Sequence, residues 1–128
     1  MPDTPSIVPY LSYKGAHAAI RFLTEAFGLR LVQSFDGPDG TLMHAEMAYG
    51  NSVVMIGTAA AEKGSPGLYL VVEDVDAHYA AAKAVGAHIV YPPEDTEFGT
   101  RRYRARDPEG HEWSFGTYAP QTEAPDWA

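Results

Sequence analysis

An internal duplication constrains this chain more than any other feature. Tyr10-Leu11 returns as Tyr69-Leu70, Gly28 as Gly86 and Gly50 as Gly110, all at offsets of 58 to 60 residues. Self-similarity at a fixed period marks a repeated supersecondary unit, and a unit this short must bury its apolar face against its twin. The element order repeats with the landmarks. In the first unit, about residues 6–57, Ile7 to Tyr13 is a run of β-formers. Ala19, Ile20, Leu23 and Phe27 then recur at helical spacing up to Gly28, which is placed as the left-handed residue past a helix end. Leu29 to Phe35 reads as a strand, Gly37-Pro38-Asp39-Gly40 as a turn, Leu42 to Tyr49 as an alternating strand, and Ser52 to Gly57 as its hairpin partner across Gly50-Asn51.

The segment 58–66 is rich in Ala, Gly and Pro and reads as a linker, after which the order begins again over about residues 67–118. Leu68 to Val72 is a strand. Asp74 or Asp76 caps a helix that turns His78, Ala82 and Val85 to one side and stops at Gly86. His88 to Tyr91 is the next strand, followed by a long loop through Pro92-Pro93 and Gly99. Thr100 to Arg106 and His111 to Tyr118 then flank the Asp107-Pro108-Glu109-Gly110 turn. Residues 119–128 carry no period and read as a tail. The expectation is one α+β domain over 1–128, made of two paired β-α-β-β-β modules.

Composition narrows the function. Nine basic against seventeen acidic residues give a formal charge of -8, which opposes binding to phosphate backbones or anionic membranes, so no nucleic-acid or membrane partner is expected. No apolar run approaches the ~20 residues that span a bilayer, and Met1 to Ser6 lacks the basic head and apolar stretch of an export signal. The absence of cysteine excludes disulfides, thiolate metal sites and a cysteine nucleophile, and fits a cytoplasmic location. No phosphate-cradling glycine loop and no serine elbow is present.

The segments FLTEAFG, MHAEMAYGNSVVMIG, YLVVEDVDA and RDPEGHEWSF, set in paired β-α-β-β-β units, resemble the vicinal oxygen chelate superfamily, which includes glyoxalase I, bleomycin-resistance proteins and extradiol dioxygenases. Within it the likeness is to small bacterial PhnB-like or glyoxalase-like proteins. The resemblance implies a cupped mixed sheet with helices on its outer face, and a homodimer. In metal-dependent members each module gives one ligand from its first strand and one from its last. Carried over residue by residue, those positions are Val8 and Met55, or Val54 with a one-residue slip, in module one and Leu68 and Ser114 in module two. A hard cation needs several His or carboxylate donors, and these residues supply none. No metal and no cofactor is therefore expected, and the likeness shifts to members whose cup holds a ligand without changing it.

Within that cup, Tyr10 shares the face of Val8 and is expected to form a stacking wall. Phe98 and Tyr103, beside the long loop, are expected to close the mouth. Arg101, Arg102, Arg104 and Arg106 crowd six positions, with the last three on one strand face. They form either a strip for a carboxylate or phosphate ligand or a set paired with Glu94, Asp95, Glu97, Asp107 or Glu109. His44 and Glu46 lie two apart on a strand, hence on one face, as a base with its orienting carboxylate, as metal ligands, or as a solvated pair. His111 is read as a structural histidine near the turn. The leading function is a metal-independent small-molecule-binding protein holding an aromatic or anionic ligand. The competitor is a glyoxalase- or dioxygenase-like enzyme using His44 and Glu46.

Overall fold

The computed structural model describes residues 8–59 and 67–119. The first module is β1 (Tyr10–Tyr13), α1 (Ala16–Phe27), β2 (Arg30–Asp36), β3 (Leu42–Tyr49) and β4 (Ser52–Thr58). The second is β5 (Leu68–Val71), α2 (Val75–Val85), β6 (His88–Asp95), β7 (Arg101–Arg106) and β8 (Glu112–Gly116). Each module builds a four-stranded mixed sheet, in order β1-β4-β3-β2 and β5-β8-β7-β6, with only the first pair in each parallel. The fold is the α+β pairing of β-α-β-β-β modules that the duplication implies.

Both helices end as the sequence predicts. Gly28 at φ 82° and Gly86 at φ 102° occupy the left-handed region, where a side chain would be strained and glycine is not. Asp74, not Asp76, caps α2 by accepting from the backbone N of Ala77 at 3.0 Å. The start of α1 has no such residue of its own. The Glu109 carboxylate, from the β7–β8 turn of the other module, accepts from the backbone N of Lys14 and of Gly15 at 2.7 Å each.

One apolar core serves both modules. Leu11, Tyr13, Leu23, Phe27, Met47 and Ile56 from the first join Tyr103, Ala105, Trp113 and Phe115 from the second. Phe27, the last residue of α1, carries the first module into the second, with its ring 5.4 Å from Trp113 and 4.9 Å from Phe115. Alternation along β3, β4, β7 and β8 sends about every second residue into this core and the rest onto an opposite face, while the edge strand β2 is exposed along its whole length.

His78 on α2 is a packing histidine. Its Nε2 donates to the Phe27 carbonyl at 3.0 Å, which leaves Nδ1 to accept from the Tyr103 hydroxyl at 2.5 Å. Burial pushes the His78 pKa below its ordinary value of 6.5, outweighing the Phe27 carbonyl, and burial likewise raises that of Tyr103. The unfolded chain therefore takes up this proton first. Stability from His78 is complete above about pH 6.5 and falls as pH drops below it, toward the lowered folded value. Urea titrations between pH 7.5 and 5 are expected to show this loss, and His78→Gln is expected to flatten it; an unchanged slope in the variant excludes His78 as its source.

Three elements differ from the sequence expectation, the simplest being β8, which runs Glu112–Gly116 rather than His111 to Tyr118. β6 does not stop at Tyr91 but continues through Pro92-Pro93 to Asp95, with register shifts between Ile89 and Tyr91 and between Tyr91 and Glu94. β6 is an edge strand, so its prolines cost the sheet little, and the irregular register accommodates them. β1 is shorter than expected: Val8 and Pro9 precede it, and Ile7 lies outside the described residues. Most of the 58–66 linker and nearly all of the tail also lie outside them.

Candidate functional site

The register of each sheet aligns four side chains in a row across its open face. In the first sheet the row is Tyr10, Met55, Glu46 and Gln33. In the second it is Tyr69, Ser114, Arg104 and Tyr91. The rows are duplicates in position, so Glu46 and Arg104 occupy equivalent places with opposite charge.

On the first sheet His44 Nε2 lies 2.9 Å from Glu46 Oε2, and Gln33 Nε2 donates to the other oxygen, Oε1, at 3.0 Å. Hydrogen bonds from His44 and then Gln33 hold the Glu46 carboxyl below the usual carboxylate range. Phe35, opposite His44 across the β2–β3 ladder, stacks on the imidazole at 6.5 Å between centroids. His44 and Glu46 are thus brought together as their spacing predicts. Gln33, the residue that fixes the second carboxylate oxygen, was not singled out in the sequence, although it follows from the hairpin register once Phe35 faces His44.

The arginines of β7 are mostly partnered. Arg101 Nη2 meets Asp76 and its Nη1 meets Asp95, both at 2.9 Å, Arg102 Nε donates to Glu94 at 3.2 Å, and Arg106 Nη2 meets Glu112 at 2.9 Å. Arg104 differs: its Nε donates to Ser114 Oγ at 2.9 Å, and its one carboxylate contact is a loose ion pair, Nη1 to Glu112 Oε1 at 3.8 Å. Arg102, Arg104 and Ser114 share a depression of about 350 Å³ with Tyr69 and Tyr91, with Gly67, Leu68 and the Glu112 carboxylate also in its lining. A larger cavity of about 880 Å³ adjoins it through Tyr69 and Arg102 and is lined also by Phe98, Thr96 and Tyr118. Phe98, 83% exposed, lies in the lining of this cavity, away from Tyr10 and Met55.

Two placements are corrected. Tyr103 is not at the mouth; it is fully buried, bonded to His78, because it alternates with Arg102 and Arg104 on β7 and must face the core when they face out. Leu68 does not share the face of Ser114. It aligns with buried Trp113, and Tyr69 takes the place beside Ser114. Val8, half-buried, precedes β1, while Tyr10 and Met55 lie in the first-sheet row. His111 is buried and structural, its Nε2 donating to the Ser12 carbonyl at 2.9 Å in the other module.

The donor set does not suit a divalent ion. Met55, Tyr69 and Ser114 offer no strong ligand beside Val8, and among the described residues no three His, Asp or Glu side chains converge. No described helix is long and apolar enough to cross a membrane.

Paired β-α-β-β-β modules with an open, aromatic and polar sheet face define a class of protein in which one scaffold serves several chemistries. The comparisons place the chain within it. Residues 9–115 match the model of the Glyoxalase/Bleomycin resistance protein/Dioxygenase superfamily, and the chain belongs to that superfamily. It is 32% identical to TioX from Micromonospora sp. ML1, whose structure superposes with a TM-score of 0.73 over 88% of this chain and 97% of that one. An uncharacterized Mycobacterium tuberculosis protein, Rv0887c, is 34% identical over 125 residues, covering 88% of this chain and 74% of the relative. Glyoxalase I from Zea mays shares the fold at 20% identity and a TM-score of 0.72, with 88% of this chain aligned to 44% of that one.

Proposed function

We propose that this protein is a metal-independent small-molecule-binding protein of the glyoxalase/bleomycin-resistance type, holding an aromatic or anionic ligand on the open sheet faces. One observation carries the reading: of the positions to which the family's metal ligands carry over, Met55 lies beside Tyr10 and Ser114 beside Tyr69, surfaces for stacking and hydrogen bonding. The protein acts in the cytoplasm as a homodimer, the second copy covering the edge strand β2, on which Leu31 is 42%, Val32 48% and Phe35 54% exposed, and leaving Tyr10 and Tyr69 to the ligand. Sedimentation at micromolar concentration is expected to give a dimer mass.

The test of function joins elemental analysis to a ligand screen. Purified protein is expected to hold substoichiometric metal, and aromatic acids in the screen are expected to raise its Tm equally with and without chelator. A stoichiometric divalent ion whose removal abolishes binding or turnover overturns the proposal.

The 2.9 Å His44–Glu46 contact favours a second reading, an enzyme of glyoxalase or dioxygenase type in which His44 moves a proton and Glu46 orients it. His44→Ala is expected to leave ligand affinity within about threefold under the binding reading. A ligand that wild-type protein converts and His44→Ala binds but does not convert establishes the enzyme instead.

A further inference from the structure

The arginines of β7 are alike in sequence and unlike in circumstance. Arg101, Arg102 and Arg106 each hydrogen-bond a carboxylate. Arg104 is fixed through Nε by Ser114 Oγ, and its nearest carboxylate oxygen, Oε1 of Glu112, is 3.8 Å from Nη1, while Oε2 of that same group is taken by Arg106. Among the described residues, the Nη edge of Arg104 therefore makes no hydrogen bond. The guanidinium also sits over the Tyr91 ring, 5.4 Å from its centroid, which orients it without consuming its donors.

A flat surface adjoins this edge. Tyr69, aligned with Ser114, lays its ring across Gly116: a Cβ there would come within 2.7 Å of the Tyr69 hydroxyl oxygen and 3.2 Å of Cε1. The hydroxyl donates to the Tyr118 carbonyl at 2.7 Å, pinning the ring in place. The first module repeats the device, with Tyr10 across Gly57, but puts Glu46 where the second has Arg104. Only the second row thus combines an aromatic floor with a cation, around a depression of about 350 Å³.

We infer that the open face of the second sheet is a subsite for an aryl anion, whose ring stacks on Tyr69 and whose carboxylate or phosphate takes the Nη edge of Arg104. The inference rests on the small-molecule-binding reading and narrows it to one ligand class and one sheet. Charged, bidentate hydrogen bonds of this kind are stronger than neutral ones.

Titration calorimetry with 2-naphthoate, 2-naphthyl phosphate and 2-naphthalenemethanol tests it. The better of the two anions is expected to bind about tenfold or more tightly than the neutral alcohol, and which anion leads identifies the head group. Arg104→Gln is expected to abolish that preference while leaving the alcohol's affinity unchanged, and Tyr69→Leu to weaken all three. Arg101→Gln, which removes a cation already held by two carboxylates, is expected to keep the wild-type order. Equal affinity for anions and alcohol, or an anion preference that survives Arg104→Gln, overturns the subsite. If none of the three binds but the wider screen yields a ligand insensitive to Arg104→Gln, the subsite falls and the binding function stands; if no compound of any class binds, the function itself falls.

Discussion

Asp107→Ala is expected to destabilise the protein by about 3–5 kcal/mol, lowering Tm by roughly 10–20 °C. Asp107 is 3% exposed. Its Oδ2 accepts from the Tyr13 hydroxyl at 2.5 Å and from Trp113 Nε1 at 3.1 Å, while Oδ1 accepts from the backbone N of Glu109 and of His111 at 3.1 Å each. Removing the carboxylate strands two buried side-chain donors from different modules and loosens the turn that carries Glu109 to the start of α1. Relief from burying a charge offsets part of this loss, which is why four hydrogen bonds do not contribute their gross energies. Burial, reinforced by the negative charge of Asp107, also raises the Tyr13 pKa, so that phenol stays a donor throughout the ordinary pH range. Tyr13→Phe removes one donor and leaves Asp107 three partners, so its expected cost is only about 1–2 kcal/mol. Urea denaturation of both single variants and the double variant measures the coupling. A cost below about 1 kcal/mol for Asp107→Ala sinks this account of the joint between modules.

That joint was only half visible in the sequence. The duplication, both helices and their terminal glycines were legible because they depend on local rules: apolar spacing of 3.6, and a left-handed residue where a helix stops. The extent of β6 was not, because whether Pro92-Pro93 breaks a strand depends on its having a neighbour on that side, and edge position is a property of the assembled sheet. Tyr103 was misplaced although the needed signal was present. If Arg102 and Arg104 share an outer face, period-two alternation already sends Tyr103 inward. Leu68 failed for a subtler reason, since the parallel register to β8 selects which of two adjacent residues meets Ser114, and a one-residue slip exchanges the faces. The arginine strip was legible as a cluster, but its partners lie on α2, β6 and β8, so the distinction between Arg104 and its neighbours emerged only in three dimensions. The Tyr10–Gly57 and Tyr69–Gly116 pairs left a trace, both members recurring at the repeat distance, but the tyrosine–glycine contact itself was not evident from spacing.

Phe27→Ala is the second large effect, with an expected cost of about 3–5 kcal/mol. Phe27 is fully buried at the end of α1, yet its ring sits among Trp113, Phe115 and His78 of the second module, and its carbonyl accepts a hydrogen bond from His78 Nε2. Truncation opens a cavity where both modules meet, and Gly28, locked in its left-handed turn, restrains the helix end from moving in to fill it. Phe22, half-buried and edge-on to Phe27 at 5.2 Å, is the control: it touches the core from the rim, and Phe22→Ala is expected to cost less than half as much. Because one core serves both modules, Phe27→Ala is expected to lower a single unfolding transition, with near-UV and far-UV signals still coincident. Two separated transitions in the variant, or a cost no larger than that of Phe22→Ala, would show that the modules are stabilised independently and that Phe27 is not what joins them.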